Sequence, residues 1–513
     1  MIMSIKQYII GLLALASVAC NDYLDVQPSK TTSLVPSTTD HLEYLLNDYN
    51  TFYMENNYTA VFSSDDFGLY TDIYNVQPIA YPLETVEFAL WDLDYLPAAS
   101  SDNFWTGEYE KIFIANMVLE YIPQVSGDEA TKARLKAEAH LVRAYSLWEL
   151  ANTYCLPYTE ANKGELGLVL KQSTSFDESE ERATLEATYQ LIEQDIQEAL
   201  KSDVELTMVN GKYQTWRASL PAAYAFAARY YLFRNNYGEA LNYANKALEK
   251  HSELMDYNTD MRYSATVPTV TINPGTENEE VVEILYPYTH DSQSDMNDRL
   301  EWREFYYFRV LSNGYWWFLP ATELMDLYDK DYDLRWKYHY VENYSYDRGL
   351  TSPAYEWPGY IFFFKDQIPS GPTVAEMLLI KAECQAREGN FAEAMVTVNQ
   401  LRAARMDNTA PADRINLSAA SQAEAITQIL EERRREMPFT MRWFDIRRLN
   451  NNDDANDDVE ALTREFYPYN NSGVLIKEPV QTYTLEKNSR RFAQPILNTE
   501  IETSQGAIQQ NTY

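Results

Sequence analysis

The chain has 513 residues, 45% of them hydrophobic, and its 42 basic and 77 acidic residues leave a net charge of −35. Single cores stop growing at about 250–300 residues, so this length requires two regions or one elongated core of stacked units, and the hydrophobic content excludes a globally disordered chain. The charge repels phosphate, and with no Lys/Arg stripe interleaved with aromatics, nucleic acid is excluded as a partner.

At the N-terminus Lys6 precedes an apolar run from Tyr8 to Ala16, and small residues 17–19 lead up to Cys20. The run is too short for a permanent membrane span and fits a secretory signal peptide over residues 1–19. A cysteine directly after small residues resembles a bacterial lipobox, with Cys20 lipidated and the protein anchored rather than inserted. The two other cysteines, Cys155 and Cys384, fall in helix-like runs and are expected to be buried, inert thiols.

Aromatic residues are abundant, with 41 Tyr and 10 Trp. Such side chains fill cores, but their apolar face and polar tip also suit a wet binding surface. A first aromatic, turn-rich segment runs from Asp65 to Trp105 and includes Tyr70, Tyr74, Tyr81 and Trp91. Helical runs follow at Ile112–Ile122, Lys132–Tyr154 and Leu185–Leu200, the last with no evident partner. Another covers Pro221–Phe233, with Ser219 just ahead and Pro221 suited to a first turn.

Next comes an internal repeat. Asn236-Tyr-Gly-Glu-Ala240 recurs 154 positions later as Asn390-Phe-Ala-Glu-Ala394, and Ala240, Ala244 and Ala247 keep step with Ala394, Val398 and Leu401. Spacings of three and four residues place these on one helix face against a neighbour. The second copy also has an upstream helical run, Val374–Arg387, with Gly389 as its stop. Helix, short turn, helix with alanine at the crossing positions resembles a tetratricopeptide repeat, and at least about three such units are needed to bury a continuous core.

Between the copies lies an insert from about Met261 to Pro372, with Trp302, Trp316, Trp317, Trp336 and Trp357 and strand-like Val281–Tyr286 and Tyr360–Phe364. Loops hung on a rigid helical scaffold are where ligand contacts concentrate. Further on, Arg433, Arg442, Arg447 and Arg448 are expected to pair with Glu432, Glu436 and Asp445 in a packed network, and the acidic run 451–458 reads as a solvated loop.

No constellation for catalysis stands out. The five histidines have no metal-ligand spacing, and Asp329 to Tyr340 lacks the glycine and final glutamate of a calcium loop. There is no nucleophile elbow, phosphate-cradling loop or redox cysteine pair, and carboxylate pairs say little among 77 acidic residues. No enzyme activity, cofactor or metal is therefore expected.

Several stretches together resemble the SusD/RagB family of nutrient-binding outer-membrane lipoproteins. They are Cys20 to Pro28, Trp105 to Asn116, Ala137 to Tyr145, Leu324 to Arg335 and Glu376 to Glu383. The hallmark pair resembles Glu432 to Glu436 and Arg442 to Arg448, and Pro495-Ile496 with Glu500-Ile501 resembles the closing segment. Pro438, Thr440 and the missing second proline of that segment depart from the pattern. The resemblance implies a mainly α fold: a tetratricopeptide-like helix-pair superhelix with long irregular inserts and minor short strands. It implies an N-terminal SusD-like region at 20–260 and a RagB/SusD C-terminal region at 261–513. It also implies an outer-membrane position over a SusC-like TonB-dependent transporter, as a lid presenting an oligosaccharide or, in some members, a peptide.

The family motifs leave the ligand contacts open. A pyranose lays its C–H face on an aromatic ring while its hydroxyls reach polar groups. On that chemistry the expected contacts are Tyr74, Tyr81, Trp91, Trp316, Trp317 and Trp357, with Asp65 or Asp66 accepting from hydroxyls. Alternative readings keep the fold with a peptide ligand, or make it a scaffold that binds only protein partners.

Overall fold

The computed structural model describes residues 35–92, 102–175, 177–293, 295–312, 318–342, 357–364, 367–468, 475–477 and 479–513. Cys20, the expected signal peptide, Trp316 and Trp317 lie outside the described residues.

In chain order the helices used below are α1 (Thr39–Leu46), α2 (Thr71–Val76), α3 (Leu83–Leu90), α4 (Asn103–Tyr121), α5 (Glu129–Tyr154), α6 (Leu185–Ala199) and α7 (Leu220–Phe233). They continue as α8 (Tyr237–Lys250), α9 (Val374–Arg387), α10 (Phe391–Arg405), α11 (Gln422–Glu436), α12 (Arg442–Leu449) and α13 (Asn498–Thr503). The strands are β1 (Met54–Glu55), β2 (Leu166–Val169), β3 (Arg182–Thr184), β4 (Val310–Ser312), β5 (Gln367–Pro369), β6 (Ala461–Phe466) and β7 (Gln481–Glu486). The fold is thus mainly helical, with short strands only.

Local chemistry sets the helix ends. Ser219, Thr373 and Ser421 each accept a backbone N–H three residues on and start α7, α9 and α11, which satisfies donors that a helix leaves unpaired. Gly389, at φ 88°, ends α9 in the left-handed region that favours glycine. One start was misplaced by the sequence reading: Asp102 accepts from the N–H groups of Phe104 and Trp105, both at 3.0 Å, so α4 begins well upstream of Ile112 and Trp105 is helical. Strand structure in the insert is shorter than the apolar runs suggested, with Glu280–Glu283 and Gly359–Tyr360 forming ladders.

The helices stack as pairs. α5 packs between α4 and α6, so the latter has a partner after all; α7 pairs with α8, α9 with α10, and α11 covers α9 and α10. The decisive contact is α8 on α9, because it joins the two repeat copies across everything between them in sequence. Ala240, Ala244 and Ala247 of α8 are all fully buried, as is Ala394 of α10, and side chains this small let helix axes approach closely.

The intervening segments build a second core. It brings Val61–Leu90 together with Met255–Phe363 and adds Phe439 and Phe466, and many of its aromatic rings meet one another. A three-stranded sheet pins it to the stack: β1 runs parallel to β4 with Met54 opposite Val310, and β5 runs antiparallel to β4. Beside it Gly371 lies against the Tyr307 carbonyl with no room for a Cβ.

Buried charges tie the C-terminal helices to the stack. Glu383 of α9 accepts both Nη atoms of Arg448 at 2.7 and 2.8 Å, and Arg448 also reaches Asp445 at 2.7 Å. Glu432 accepts from Arg402 at 2.6 Å and Arg435 at 2.9 Å and pairs with Arg335 at 2.7 Å, while Arg229 grips Glu376. Burial by itself would raise Glu383 and Glu432, but the surrounding guanidinium groups hold both below the usual carboxylate range. Two arginines break the expected local pattern. Arg442 reaches back to Asp65, and Arg447 donates to the carbonyls of Cys155 and Phe492 instead of a carboxylate. Burial lowers Arg447 to about 10. Cys155 and Cys384 are both buried free thiols, pushed up by burial.

Candidate ligand-binding face

The expected contact residues divide between frame and surface. Asp66 is fully buried and accepts from Arg434 Nε at 2.6 Å and from the Phe439 N–H at 2.8 Å. Asp65 accepts Nε and Nη2 of Arg442 at 2.6 and 2.8 Å. Burial would raise its carboxyl, but Arg442 and Arg434 hold it well below the usual range. Both aspartates therefore fasten the chain just after the Tyr58–Ser63 helix to α11 and α12, and a ligand hydroxyl would have to compete with guanidinium for them.

Tyr81 is equally committed. Its hydroxyl donates to the Gly68 carbonyl at 2.9 Å and accepts from Tyr70 N–H at 3.2 Å, and its ring sits edge-on to Phe67 with 2% of the residue exposed. Trp91 takes a left-handed conformation, φ 56°, at the end of α3 and donates Nε1 to the Ser63 carbonyl at 2.9 Å. Only 4% of Trp91 is exposed, where it lines a cleft of about 320 Å³ with Asp92, Tyr483 and Arg491. The expectation that Tyr81, Trp91 and Asp66 offer themselves to a ligand is corrected by this burial. Their polar tips are used inside the fold, and both rings are almost wholly covered.

Tyr74 and Trp357 are different, for both are half-buried. Trp357 packs on Tyr70 with ring centroids 4.0 Å apart and planes at 44°, and the Tyr70 hydroxyl donates to the Pro320 carbonyl at 3.0 Å. Burial pushes the Tyr70 phenol up to about 12, so it stays a neutral donor. Tyr70 is the N-cap residue of α2 and Tyr74 lies one turn on, its N–H donating to the Tyr70 carbonyl at 3.0 Å. The Tyr74 ring then packs on Phe466 and Tyr467 at the end of β6, with Lys477 Nζ 5.6 Å from its centroid. Exposed Asn75 donates to the Tyr467 hydroxyl at 2.8 Å.

A short helix thus aligns a half-exposed aromatic strip, Trp357–Tyr70–Tyr74, with amide and ammonium groups beside it. The sequence reading singled out Tyr74 and Trp357 but left Tyr70 among the turn aromatics and missed Tyr467. A signal for Tyr70 existed, because four-residue spacing puts it on the side of α2 that carries Tyr74.

Two family models match the chain. One, described as starch-binding and associating with the outer membrane, covers residues 22–232, and the SusD family model covers 374–513. The chain belongs to the SusD/RagB family. SusD-like protein P38 of Formosa agariphila is 24% identical over 402 residues, which are 70% of this chain and 75% of that protein. Among solved structures, a SusD-like carbohydrate binding protein from Bacteroides vulgatus aligns with a TM-score of 0.61 at 18% identity, over 92% of this chain and 97% of the other. A SusD superfamily protein from Bacteroides thetaiotaomicron aligns with a TM-score of 0.58 at 19% identity, over 93% and 100%. A laminarin binding SusD-like protein aligns with a TM-score of 0.52 at 16% identity, over 93% and 99%. These likenesses establish the helix-pair architecture for this SusD/RagB member. The strip straddles the matched regions: Tyr70, Tyr74 and Tyr467 fall inside them, whereas Trp357 falls in the unmatched span between. Among the described residues, no helix is long and apolar enough to cross a membrane.

Proposed function

We propose that this family member is a non-catalytic, surface-exposed lipoprotein that captures an oligosaccharide on the Trp357–Tyr70–Tyr74 strip. It would be anchored in the outer membrane through Cys20 and pass its ligand to a SusC-like TonB-dependent transporter. The observation that carries the reading is the strip itself: Tyr70 and Trp357 are held half-exposed by hydrogen bonds to the Pro320 carbonyl and Tyr74 by packing on Phe466 and Tyr467, with Asn75 and Lys477 alongside. Rings fixed in advance cost little entropy when a sugar stacks on them, and flanking polar groups set its orientation. The matched family described as starch-binding, and the similar protein that binds laminarin, support a glycan over other nutrients.

Calorimetric titration with oligosaccharide and peptide panels tests the ligand class. Trp357→Ala is expected to weaken oligosaccharide binding by about tenfold or more, in line with loss of one well-packed aromatic anchor. Binding of peptides alone would replace the glycan reading. For the anchor, Cys20→Ala is expected to release the protein from membranes, and unchanged retention would count against lipidation.

A further inference from the structure

A second cleft shares no residue with that strip. It has a volume of about 290 Å³ and lies between α4, the end of β2 and α13. That is near the lower end of the about 300–1,000 Å³ typical of small-ligand pockets, room enough for a short saccharide end.

Its floor is one face of α4. Trp105, Tyr109 and Phe113 succeed one another at one-turn spacing, and all three line the cleft. Trp105 is buried and packs on Tyr109 with ring centroids 4.8 Å apart, whereas Phe113 is 37% exposed. The Tyr109 hydroxyl donates to the Val169 carbonyl at 2.9 Å, so its ring is fixed from behind. A surface helix ordinarily turns such a stripe into the core. Here the stripe climbs out of the core toward the cleft, from a buried indole to a phenyl ring in water.

The opposite wall supplies the polar partners. Glu500 on α13 is half-buried, and its carboxylate has no hydrogen bond or ion pair among the described residues. Partial burial and the nearby Asp102 raise it above the usual carboxylate range. Thr503 lies one turn beyond Glu500, and exposed Glu180 stands at the rim. The one lining lysine, Lys171, is already occupied with the Glu178 carbonyl at 2.9 Å.

We infer that this cleft is a second saccharide site, taking a neutral sugar ring whose C–H face lies on Phe113 and Tyr109 while its hydroxyls donate to Glu500 and Glu180. Two carboxylates against one ammonium, that of Lys171, leave the described lining net negative, which disfavours a uronate or sulfated sugar by like-charge repulsion. Donation from a sugar hydroxyl gives the Glu500 carboxylate the hydrogen bond it lacks. A second site on the same chain would hold a long glycan at two points, raising its avidity without any new contact at the first.

The test uses the full chain and calorimetry with maltohexaose and laminarihexaose. Tyr70→Ala/Trp357→Ala removes the first site, and a residual site is expected to remain. Adding Phe113→Ala should weaken that residual site by about tenfold, and Glu500→Gln by a few-fold. Unchanged thermal midpoints for the surface change Phe113→Ala separate loss of contact from loss of fold. Wild-type binding that Tyr70→Ala/Trp357→Ala abolishes, or residual binding indifferent to Phe113→Ala, overturns the cleft and leaves the first site standing. If neither sugar binds the wild type, this inference falls together with the glycan reading. Selective uptake of a lysine-rich peptide at the cleft in place of sugar also overturns it.

Discussion

In the helix stack the residues at the closest crossings are alanines, and in the insert core they are aromatic rings. Ala240, Ala244 and Ala247 bury completely on α8, which meets α9, and Ala394 does so on α10, whereas Trp302, Phe305, Phe362 and Phe363 meet ring to ring in a region with little regular structure. Small side chains serve a regular array because backbones can approach and the same contact can recur. Large rings serve an irregular one because each fills volume that no repeating backbone supplies. The treatment of buried acids differs too. Glu383 of the stack is saturated by arginine, while Glu87 on α3, beside the second core, has both carboxylate oxygens buried without a hydrogen-bond partner among the described residues, and Glu149 on α5 has one such oxygen.

The largest effect is expected where the stack carries charge. Glu383→Ala leaves Arg448 and Arg387 buried without their shared partner and should cost roughly 3–5 kcal/mol in denaturant unfolding. A loss of under 1 kcal/mol, the range of exposed ion pairs, would mean that the network contributes little. Next comes the contrast in packing. Ala244→Leu should cost about 1–3 kcal/mol by overpacking the α8–α9 crossing, whereas Tyr74→Trp on the half-exposed strip should stay within about 0.5 kcal/mol. Equal costs at the two positions would erase the distinction between rigid array and tolerant face.

The smallest effect concerns pH. Burial, then Asp92 and Glu84, raise Glu87 to about 7 from an ordinary 4.5. The folded state therefore holds this proton more tightly than the unfolded chain, and stability should fall as pH rises from 4.5 to about 7. Glu87→Gln should remove most of that fall, at most about 1 kcal/mol once solvent screening is allowed for, read from denaturation midpoints across the interval. Identical pH profiles for the variant and the wild type would place the slope elsewhere.

The proposed ligand-binding face was only partly legible in the sequence. Tyr74 and Trp357 were found by residue type, as were Tyr81 and Trp91, yet the latter two hold their polar atoms inside. Residue type cannot separate these cases, because an aromatic ring fills a core as readily as it forms a platform. Asp65 and Asp66 likewise looked like free acceptors until arginines more than three hundred residues away in sequence met them.

What the sequence determined by itself is periodic and local: paired helices with alanine at the crossings, caps such as Ser219 and Thr373, and the stop at Gly389. These follow from the spacing of side chains along one helix and from backbone groups that need partners nearby. What only the tertiary structure decided is non-local. It set the closure of α8 on α9 across the insert, the reach of Arg442 to Asp65, and the choice of which rings face water. Each depends on chain segments meeting from distant positions, and neither composition nor spacing carries that information.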